Sequence, residues 1–240
     1  MNDITLIQTY YNEPDELLRQ LYEYWDRFYT PLKIILIDDG SQKFPAYDVL
    51  NGFKHQDHID FQLWRVTKDI GFNSHGARNL GAHVAQTDWL MFLDIDYTIP
   101  PCDIDYLSKE KLKDHAFYNF KNIQVEFDAA TKGQVFVEPT INQFLIRKEK
   151  FLELGGYNES YTRVHWGDRE FIANLETHLR KVTVDVCVTD HRGGRKTVID
   201  NTLLAPVYDN ENKILYTPRP DLVDLPQITT KLNFDYERLI

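Results

Sequence analysis

Two aspartates, Asp94 and Asp96, follow directly after a run of apolar residues from Trp89 to Leu93. A short apolar run that ends in polar residues is typical of a strand buried on both faces of a sheet. Open α/β sheets bind their ligands at the carboxyl ends of the strands, where this pair is expected to lie. If Ile95 continues the strand, both carboxylates point to the same side and offer oxygen ligands to Mg²⁺ or Mn²⁺. A plain polar turn before Pro100 is the alternative interpretation of so short a pattern.

Further polar clusters follow other predicted strands. Apolar runs predict strands over residues 4–9, 32–37 and 61–66, and helical spacing of apolar side chains predicts helices over 15–29 and 77–84. Strands that alternate with helices indicate a mostly parallel central sheet flanked by helices, which is a Rossmann-like α/β fold. Right-handed crossovers then bring the carboxyl ends of the strands to one edge. Three polar clusters are expected to meet there: Thr9 to Glu13, Asp38 to Ser41, and Asp94 to Asp96.

The second half of the chain is less regular. The patterns predict strands over 118–127, 134–137 and 142–147 in a smaller mixed β region, and a strictly alternating strand over 182–188. A short helix over 147–154 is expected to end at Gly155 and Gly156. Another helix begins at Gly167 and Asp168, where a carboxylate suits the positive end of the helix dipole whatever else it does. Prolines and mixed polarity beyond residue 200 predict an extension that wraps the domain.

The composition narrows the class of protein. A net charge of -10 disfavours a broad nucleic-acid-binding surface. Two cysteines, Cys102 and Cys187, are too few for a disulfide framework. The first residues carry no signal-peptide pattern, and no apolar run approaches the roughly 20 residues of a transmembrane helix, so a soluble, cytoplasmic protein is expected. The oligomeric state is left open.

The ordered set of motifs resembles the family 2 glycosyltransferases, whose fold is called GT-A. The resemblance extends over roughly residues 4–192 and rests on six stretches: Thr9 to Glu13, Ile37 to Ser41, Gly71 with Ala77 to Gly81, Leu93 to Asp96, Gly155 to Glu159, and Trp166 to Phe171. Each stretch is short, and their order and spacing carry the likeness. The last two also resemble the carboxyl-terminal half of galactosyltransferase-type members, in which Glu-Asp usually stands where this chain has Gly167 and Asp168.

The resemblance implies a single GT-A domain over residues 1–240. Residues 1–100 would form the nucleotide-sugar-binding half, residues 101–200 the acceptor-binding half and residues 201–240 a C-terminal extension. The donor would be a nucleotide diphosphate sugar, with UDP as the default because it is the commonest donor in the family. The acceptor would be a carbohydrate or another molecule with a hydroxyl group.

The resemblance also implies a role for individual residues. Those expected to bind the donor are Thr9, Tyr11 and Asn12 at the nucleotide, Asp39 at the base or ribose, Arg78 at the diphosphate, and Asp94 at the ribose or a metal-bound water. Asp96 would be the direct ligand of Mn²⁺ or Mg²⁺, with Asp94 beside it and His191 as a further metal or phosphate ligand. At the acceptor, Trp166 would offer an aromatic plate to a sugar face. Asp168 would be the general base, with Glu170 as the other carboxylate that could take that part.

The chemistry needs these residue types. A divalent metal can neutralise the charge that gathers on a departing diphosphate. A carboxylate on the opposite side can take the proton of the attacking hydroxyl, which is worth about 10²–10⁴-fold in rate. A single displacement of this kind inverts the anomeric configuration.

Three other functions are weighed against this one. A sugar-phosphate nucleotidyltransferase also uses such a sheet and a metal, but it places a glycine-rich basic loop after the first strand, and residues 8–15 contain no glycine, lysine or arginine. A catalytically inactive nucleotide- or sugar-binding module would not need Asp94, Asp96 and Asp168 together. A glycosyltransferase whose acceptor is a modified base in DNA is disfavoured by the acidity of the chain.

Overall fold

A computed structural model describes residues 1–27, 31–53, 56–126, 134–162, 167–191 and 232–240 of the chain. Within these ranges the strands belong to one nine-stranded sheet, whose order from edge to edge is β5-β8-β6-β7-β4-β1-β2-β3-β9. The strands are β1 Ile4–Tyr10, β2 Leu32–Asp38, β3 Ile59–Val66, β4 Trp89–Phe92, β5 Tyr97–Thr98, β6 Ala116–Glu126, β7 Gln134–Arg147, β8 Arg180–Asp190 and β9 Tyr236–Arg238. The helices are α1 Pro14–Arg27, α2 Ala46–Val49, α3 Ser74–Val84, α4 Pro101–Lys109, α5 Lys148–Glu153 and α6 Gly167–His178.

The first half of the chain forms the predicted parallel sheet. Strands β4, β1, β2 and β3 lie side by side and parallel, with Ile7 of β1 opposite both Ile35 and Phe92. Their carboxyl ends therefore meet at one edge. The continuous apolar runs arise because both faces of this sheet are covered: Leu6 packs into one core and Ile7 into the other.

The second half continues the same sheet. Strand β7 pairs antiparallel with β4 and with β6, whereas β6 and β8 are parallel to each other, so the region is mixed as predicted. The sequence predicted two separate strands where β7 runs without a break from Gln134 to Arg147. Pro139 pairs with Lys121 where the β6–β7 register shifts, and proline is tolerated at such irregularities.

Two local features near the sheet edge differ from expectation. Helix α3 begins at Ser74 rather than at Ala77, because its first turn is buried and polar and so shows no apolar periodicity. Ile95 does not extend β4: the N–H of Tyr97 donates to the carbonyl of Asp94 at 3.0 Å, which closes a turn. Asp94 and Asp96 were expected to point the same way only if Ile95 continued the strand, and it does not.

The end of the chain returns to the sheet. Strand β9 pairs antiparallel with β3, and the N–H groups of Leu232 and Asn233 donate to the carboxylate of Glu159 at 3.2 and 2.8 Å. Most of the predicted extension, residues 201–231, lies outside the described residues. Among those that are described, no helix is both long enough and apolar enough to cross a membrane.

Candidate functional site

One open pocket lies at the carboxyl ends of the parallel strands and collects most of the predicted site residues. Its walls come from β1, the β2 and β4 ends, α3, β7 and α6. The lining residues are Thr9, Tyr10, Tyr11, Glu13, Asp39, Phe72, Ser74, Arg78, Asp94, Ile95, Asp96, Asn142 and Asp168. Topology alone explains this meeting, because parallel strands deliver the residues that follow them to the same edge.

Arg78 is the central cation of the pocket. Its side chain is 6% exposed, and its guanidinium donates through Nη1 to Asp168 at 2.6 Å and through Nη2 to Asp94. Burial alone would lower the pKa of Arg78, but the two carboxylates raise it, so the guanidinium stays charged. The fork of N–H groups on arginine suits such a bridge, since each nitrogen can serve a different carboxylate.

Three side chains surround the carboxylate of Asp168. Oδ1 accepts from Arg78 and lies 3.5 Å from Nε2 of His75, while Oδ2 accepts from Nδ2 of Asn142 at 3.0 Å. Burial would raise the pKa of Asp168, but Arg78, followed by His75 and Asn142, lowers it to about 2. Asp168 is therefore ionised at neutral pH and faces the pocket.

Asp94 is bound to protein groups through both of its oxygens. Oδ1 accepts from Arg78 and Oδ2 accepts from Nε2 of Gln143 at 3.0 Å. A carboxylate engaged on both oxygens has less capacity left for a metal ion. This geometry indicates that Asp94 helps to hold Arg78 in place. The sequence-based assignment of Asp94 as a metal ligand stays a prediction.

Asp39 is buried at the pocket wall. Its Oδ2 accepts from the backbone N–H of Asn73 at 2.5 Å, and its Oδ1 has no hydrogen-bond partner among the described residues. Burial raises the pKa of Asp39 well above its ordinary value, and the charges of Asp38 and Asp69 add to the rise. A buried oxygen without a hydrogen-bond partner is costly for the fold.

The loop after β1 divides its residues between the pocket and the fold. Thr9 and Tyr11 line the pocket, and the hydroxyl of Tyr11 reaches both oxygens of Asp69 at 3.3 Å. Asn12 has a positive φ of 56° and does not line the pocket among the described residues. Its Oδ1 accepts from the backbone N–H groups of Lys43 and Phe44 at 2.9 and 3.0 Å. In this structure Asn12 therefore shapes the loop, and its contact with a nucleotide stays a prediction.

The protein ligands for a metal ion are few. Among the residues that the structure describes, no three His, Cys, Asp or Glu side chains are close enough together to hold one. Asp96 lines the pocket, and Mg²⁺ or Mn²⁺ commonly binds through one or two carboxylates while phosphate and water oxygens complete its shell. The donor set therefore fits a metal that binds together with a diphosphate, with Asp96 as its carboxylate.

His191 contacts Asp96 through the backbone. The N–H of His191 donates to the carbonyl of Asp96 at 2.9 Å. Its Nε2, however, is 2.7 Å from the hydroxyl of Thr98 and 3.8 Å from the carboxylate of Glu23. These contacts engage Nε2, and the role expected for His191 as a metal or phosphate ligand stays a prediction.

Neither of the two residues expected to bind the acceptor, Glu170 and Trp166, is among the described residues that line the pocket. Glu170 is exposed on α6 and is not among the described residues that line the pocket. Trp166 lies outside the described residues. The roles expected for Glu170 and Trp166 at the acceptor stay predictions.

Sequence reasoning missed three side chains that hold the carboxylates. His75 and Asn142 contact Asp168, and Gln143 contacts Asp94. None belongs to a motif with recognisable spacing. The one available signal was their position: His75 stands three residues before Arg78, and the two amides open the apolar stretch at 144–146.

Solved structures share this fold. The mannosyltransferase PcManGT from Pyrobaculum calidifontis, in complex with GDP-Man and Mn²⁺, is similar with a TM-score of 0.59 at 14% identity over 81% of this chain and 58% of its own. Residues 1–349 of S. aureus TarS give a TM-score of 0.58 at 14% identity, over 78% of this chain and 60% of that fragment. GalNAc-T7 with UDP, GalNAc and Mn²⁺ gives 0.60 at 17% identity, over 94% and 52%. At identities this low, the likeness shows a common fold and nothing further. This chain spans between 52% and 60% of the three matched chains.

The family assignment comes from the sequence. A search of curated proteins by sequence gives no significant match. The family model for glycosyl transferase family 2 matches residues 5–200, which include every residue of the pocket described above. The chain therefore belongs to glycosyl transferase family 2.

Proposed function

We propose that the protein transfers a sugar from a nucleotide diphosphate sugar to a hydroxyl group of an acceptor. The observation that carries this proposal is the single pocket that Asp39, Arg78, Asp96 and Asp168 share at the carboxyl ends of the parallel strands. It combines a buried carboxylate at Asp39, a cation at Arg78, the carboxylate of Asp96 and a further carboxylate, Asp168, that Arg78 holds. Each group matches one part of the reaction.

In this proposal the nucleotide would bind against Asp39, Thr9 and Tyr11. Asp39 lines the pocket, and its carboxylate would accept a hydrogen bond from a ring N–H of the base. Tyr11 and Phe72 stand edge to face with ring centroids 6.4 Å apart, and they offer an aromatic wall beside it. Uracil carries such an N–H, which is consistent with UDP as the default donor.

The diphosphate would bind between Arg78 and Asp96. A divalent ion bound there, Mn²⁺ or Mg²⁺, would supply positive charge against the leaving diphosphate. Arg78 would add a guanidinium aimed at the same oxygens. The three carboxylates of Asp94, Asp96 and Asp168 need this cationic charge, because Arg78 alone cannot balance them.

Asp168 is assigned as the general base for the acceptor hydroxyl, which predicts inversion at the anomeric carbon. The ion pair with Arg78 makes Asp168 a weak base, since its pKa is lowered to about 2. A diphosphate beside Arg78 would compete for the guanidinium and thereby strengthen the base. The proposal thus couples donor binding to the activation of Asp168.

A thermal-shift screen of nucleoside diphosphates and their sugars with Mn²⁺ tests the donor. A specific donor should raise the melting temperature by mass action, and it should do so more with the metal than without it. The donor that stabilises the protein is then incubated with candidate hydroxyl acceptors, and the anomeric configuration of the product is measured. Binding without turnover would favour an inactive binding module, and a retained configuration would overturn the assignment of Asp168.

A further inference from the structure

His75 and Gly167 fit each other in a way that no other residue at 167 would allow. A Cβ atom built on residue 167 would lie 2.7 Å from Nε2, 2.9 Å from Cδ2 and 3.0 Å from Cε1 of His75. Three ring atoms at such distances mean that the imidazole lies against the glycine backbone. A side chain at 167 would therefore displace His75.

The imidazole of His75 is buried behind the carboxylate of Asp168. His75 is 1% exposed and lies 3.5 Å from Oδ1 through its Nε2. Asp168 lines the pocket, whereas His75 is not among the described residues that do so. Asp168 therefore stands between His75 and the space in which a substrate would react.

Neither ring nitrogen of His75 has a close hydrogen-bond partner among the described residues. A fully buried polar group without a partner costs free energy, so a histidine is a poor choice if only volume is needed there. The aromatic rings of Tyr157 and Tyr161, with centroids 5.5 and 6.2 Å away, confine the imidazole from the side. The carboxylate of Asp168 lies 3.5 Å from Nε2.

We propose that His75 is a positioning residue for Asp168, and that residue 167 is glycine to admit it. The proposal rests on the proposed function, in which Asp168 takes the proton of the acceptor. Arg78 donates to Oδ1, and the imidazole of His75 lies 3.5 Å from the same oxygen. The other oxygen, Oδ2, accepts only from Asn142 among the described contacts and stays turned towards the pocket. A base held in one orientation gains rate because its reacting oxygen is already aligned.

Substitution of His75 by phenylalanine and by asparagine tests the proposal. Phenylalanine keeps the ring and loses the N–H, whereas asparagine loses the ring and keeps an N–H donor. The variant H75F should lower kcat by about 10–100-fold with the donor dissociation constant unchanged by calorimetry, because misalignment of a base by about 1 Å can cost that much. H75N should recover part of the loss, and G167A should reproduce H75F because its Cβ displaces the imidazole.

A double variant shows whether His75 acts through Asp168. In the D168N background, H75F should cause no further loss of transfer. Full activity of H75F alone, or an equal loss in both backgrounds, would overturn the proposal for His75 while leaving the proposed function intact. Undiminished transfer by D168N would instead overturn the base assignment, and the role of His75 with it.

A spectroscopic measurement tests the contact without any turnover. In protein labelled with ¹⁵N-histidine, the ring resonances of His75, assigned by their absence in H75F, should shift in D168N and stay in place in D57N. Resonances of His75 that are the same in wild type and D168N would show that the imidazole does not sense the carboxylate, and would overturn the proposal.

Discussion

Arg78 donates a hydrogen bond to Asp168 at 2.6 Å, across 90 positions of the sequence. The same guanidinium holds Asp94, so one buried cation joins a residue after β4 to the first turn of α6. The end of β4 and the start of α6 are therefore electrostatically linked within the pocket. A group that binds the guanidinium of Arg78 therefore weakens its ion pairs with both Asp94 and Asp168.

Replacement of Arg78 by lysine should break this bridge. A single ammonium group cannot present two fixed N–H donors, so one carboxylate would lose its partner in a largely buried site. We expect R78K to lower the free energy of unfolding by about 1–3 kcal/mol in urea at pH 7. R147K is the matched control, because Arg147 pairs with Asp114 at the surface and a change there should cost under about 1 kcal/mol. Equal stability of R78K and R147K would contradict the bridge.

Asp96→Ala should remove the carboxylate that the metal needs. We expect transfer that depends on Mn²⁺ to fall below detection, while the circular dichroism spectrum and the melting temperature without metal stay close to wild type. Asp96 is only partly buried, so its loss should leave little strain in the fold. D57N, at an exposed position, is the control for a lost charge. Full metal-dependent transfer by Asp96→Ala would remove Asp96 from the site.

Asp168→Asn should separate donor binding from transfer. The amide keeps the shape of the carboxylate but cannot take a proton, so we expect kcat to fall by about 10²–10⁴-fold. The affinity for nucleotide diphosphate and metal, measured by calorimetry, should change far less, because Asp168 is assigned to the acceptor. A loss confined to donor affinity would mean that Asp168 binds the donor and is not the base.

The sequence predicted the parallel sheet and the pocket for a physical reason. Strands covered on both faces are continuously apolar, as Ile34 to Ile37 show, and each run ended at the polar residues that now line or support the site. The alternation of strand and helix indicates right-handed crossovers between parallel strands. This rule alone predicts that Asp39, Asp94 and Asp96 lie at the same edge of the sheet.

The partners of the carboxylates could not be predicted in the same way. Asn142 contacts Asp168 and Gln143 contacts Asp94, although they are neighbours on one strand. Their function depends on where β7 lies relative to α3 and α6, which is tertiary information. The position of His75 could not be predicted either, because its imidazole occupies the space that a Cβ of residue 167 would need, and Gly167 lies on another helix.

Asn79 should be important for stability although it is close to the site. Its Nδ2 donates to the carbonyl of Tyr157 at 2.8 Å and to Glu159 at 3.0 Å, and its Oδ1 accepts from the N–H of Tyr157 at 2.8 Å. N79A would leave three buried groups without these partners, so we expect a loss of about 2–4 kcal/mol in urea unfolding. Q86A, at an exposed position after the same helix, should change stability by less than about 0.5 kcal/mol. A loss below about 1 kcal/mol in N79A would contradict the importance of this network.

Stability should depend on pH through Asp168. The pKa of Asp168 is lowered from its ordinary value of 3.8 to about 2 in the folded protein. A lowered pKa means that the ionised form stabilises the fold above pH 3.8, and that this stabilisation is lost as the pH falls through 2. The shift corresponds to roughly 2 kcal/mol at pH 7 and to about half of that at pH 3. The difference in unfolding free energy between wild type and D168N, measured in urea at several pH values, should therefore shrink from pH 7 to pH 3. A difference that stays constant over this range would show that the carboxylate is not held by Arg78 in solution.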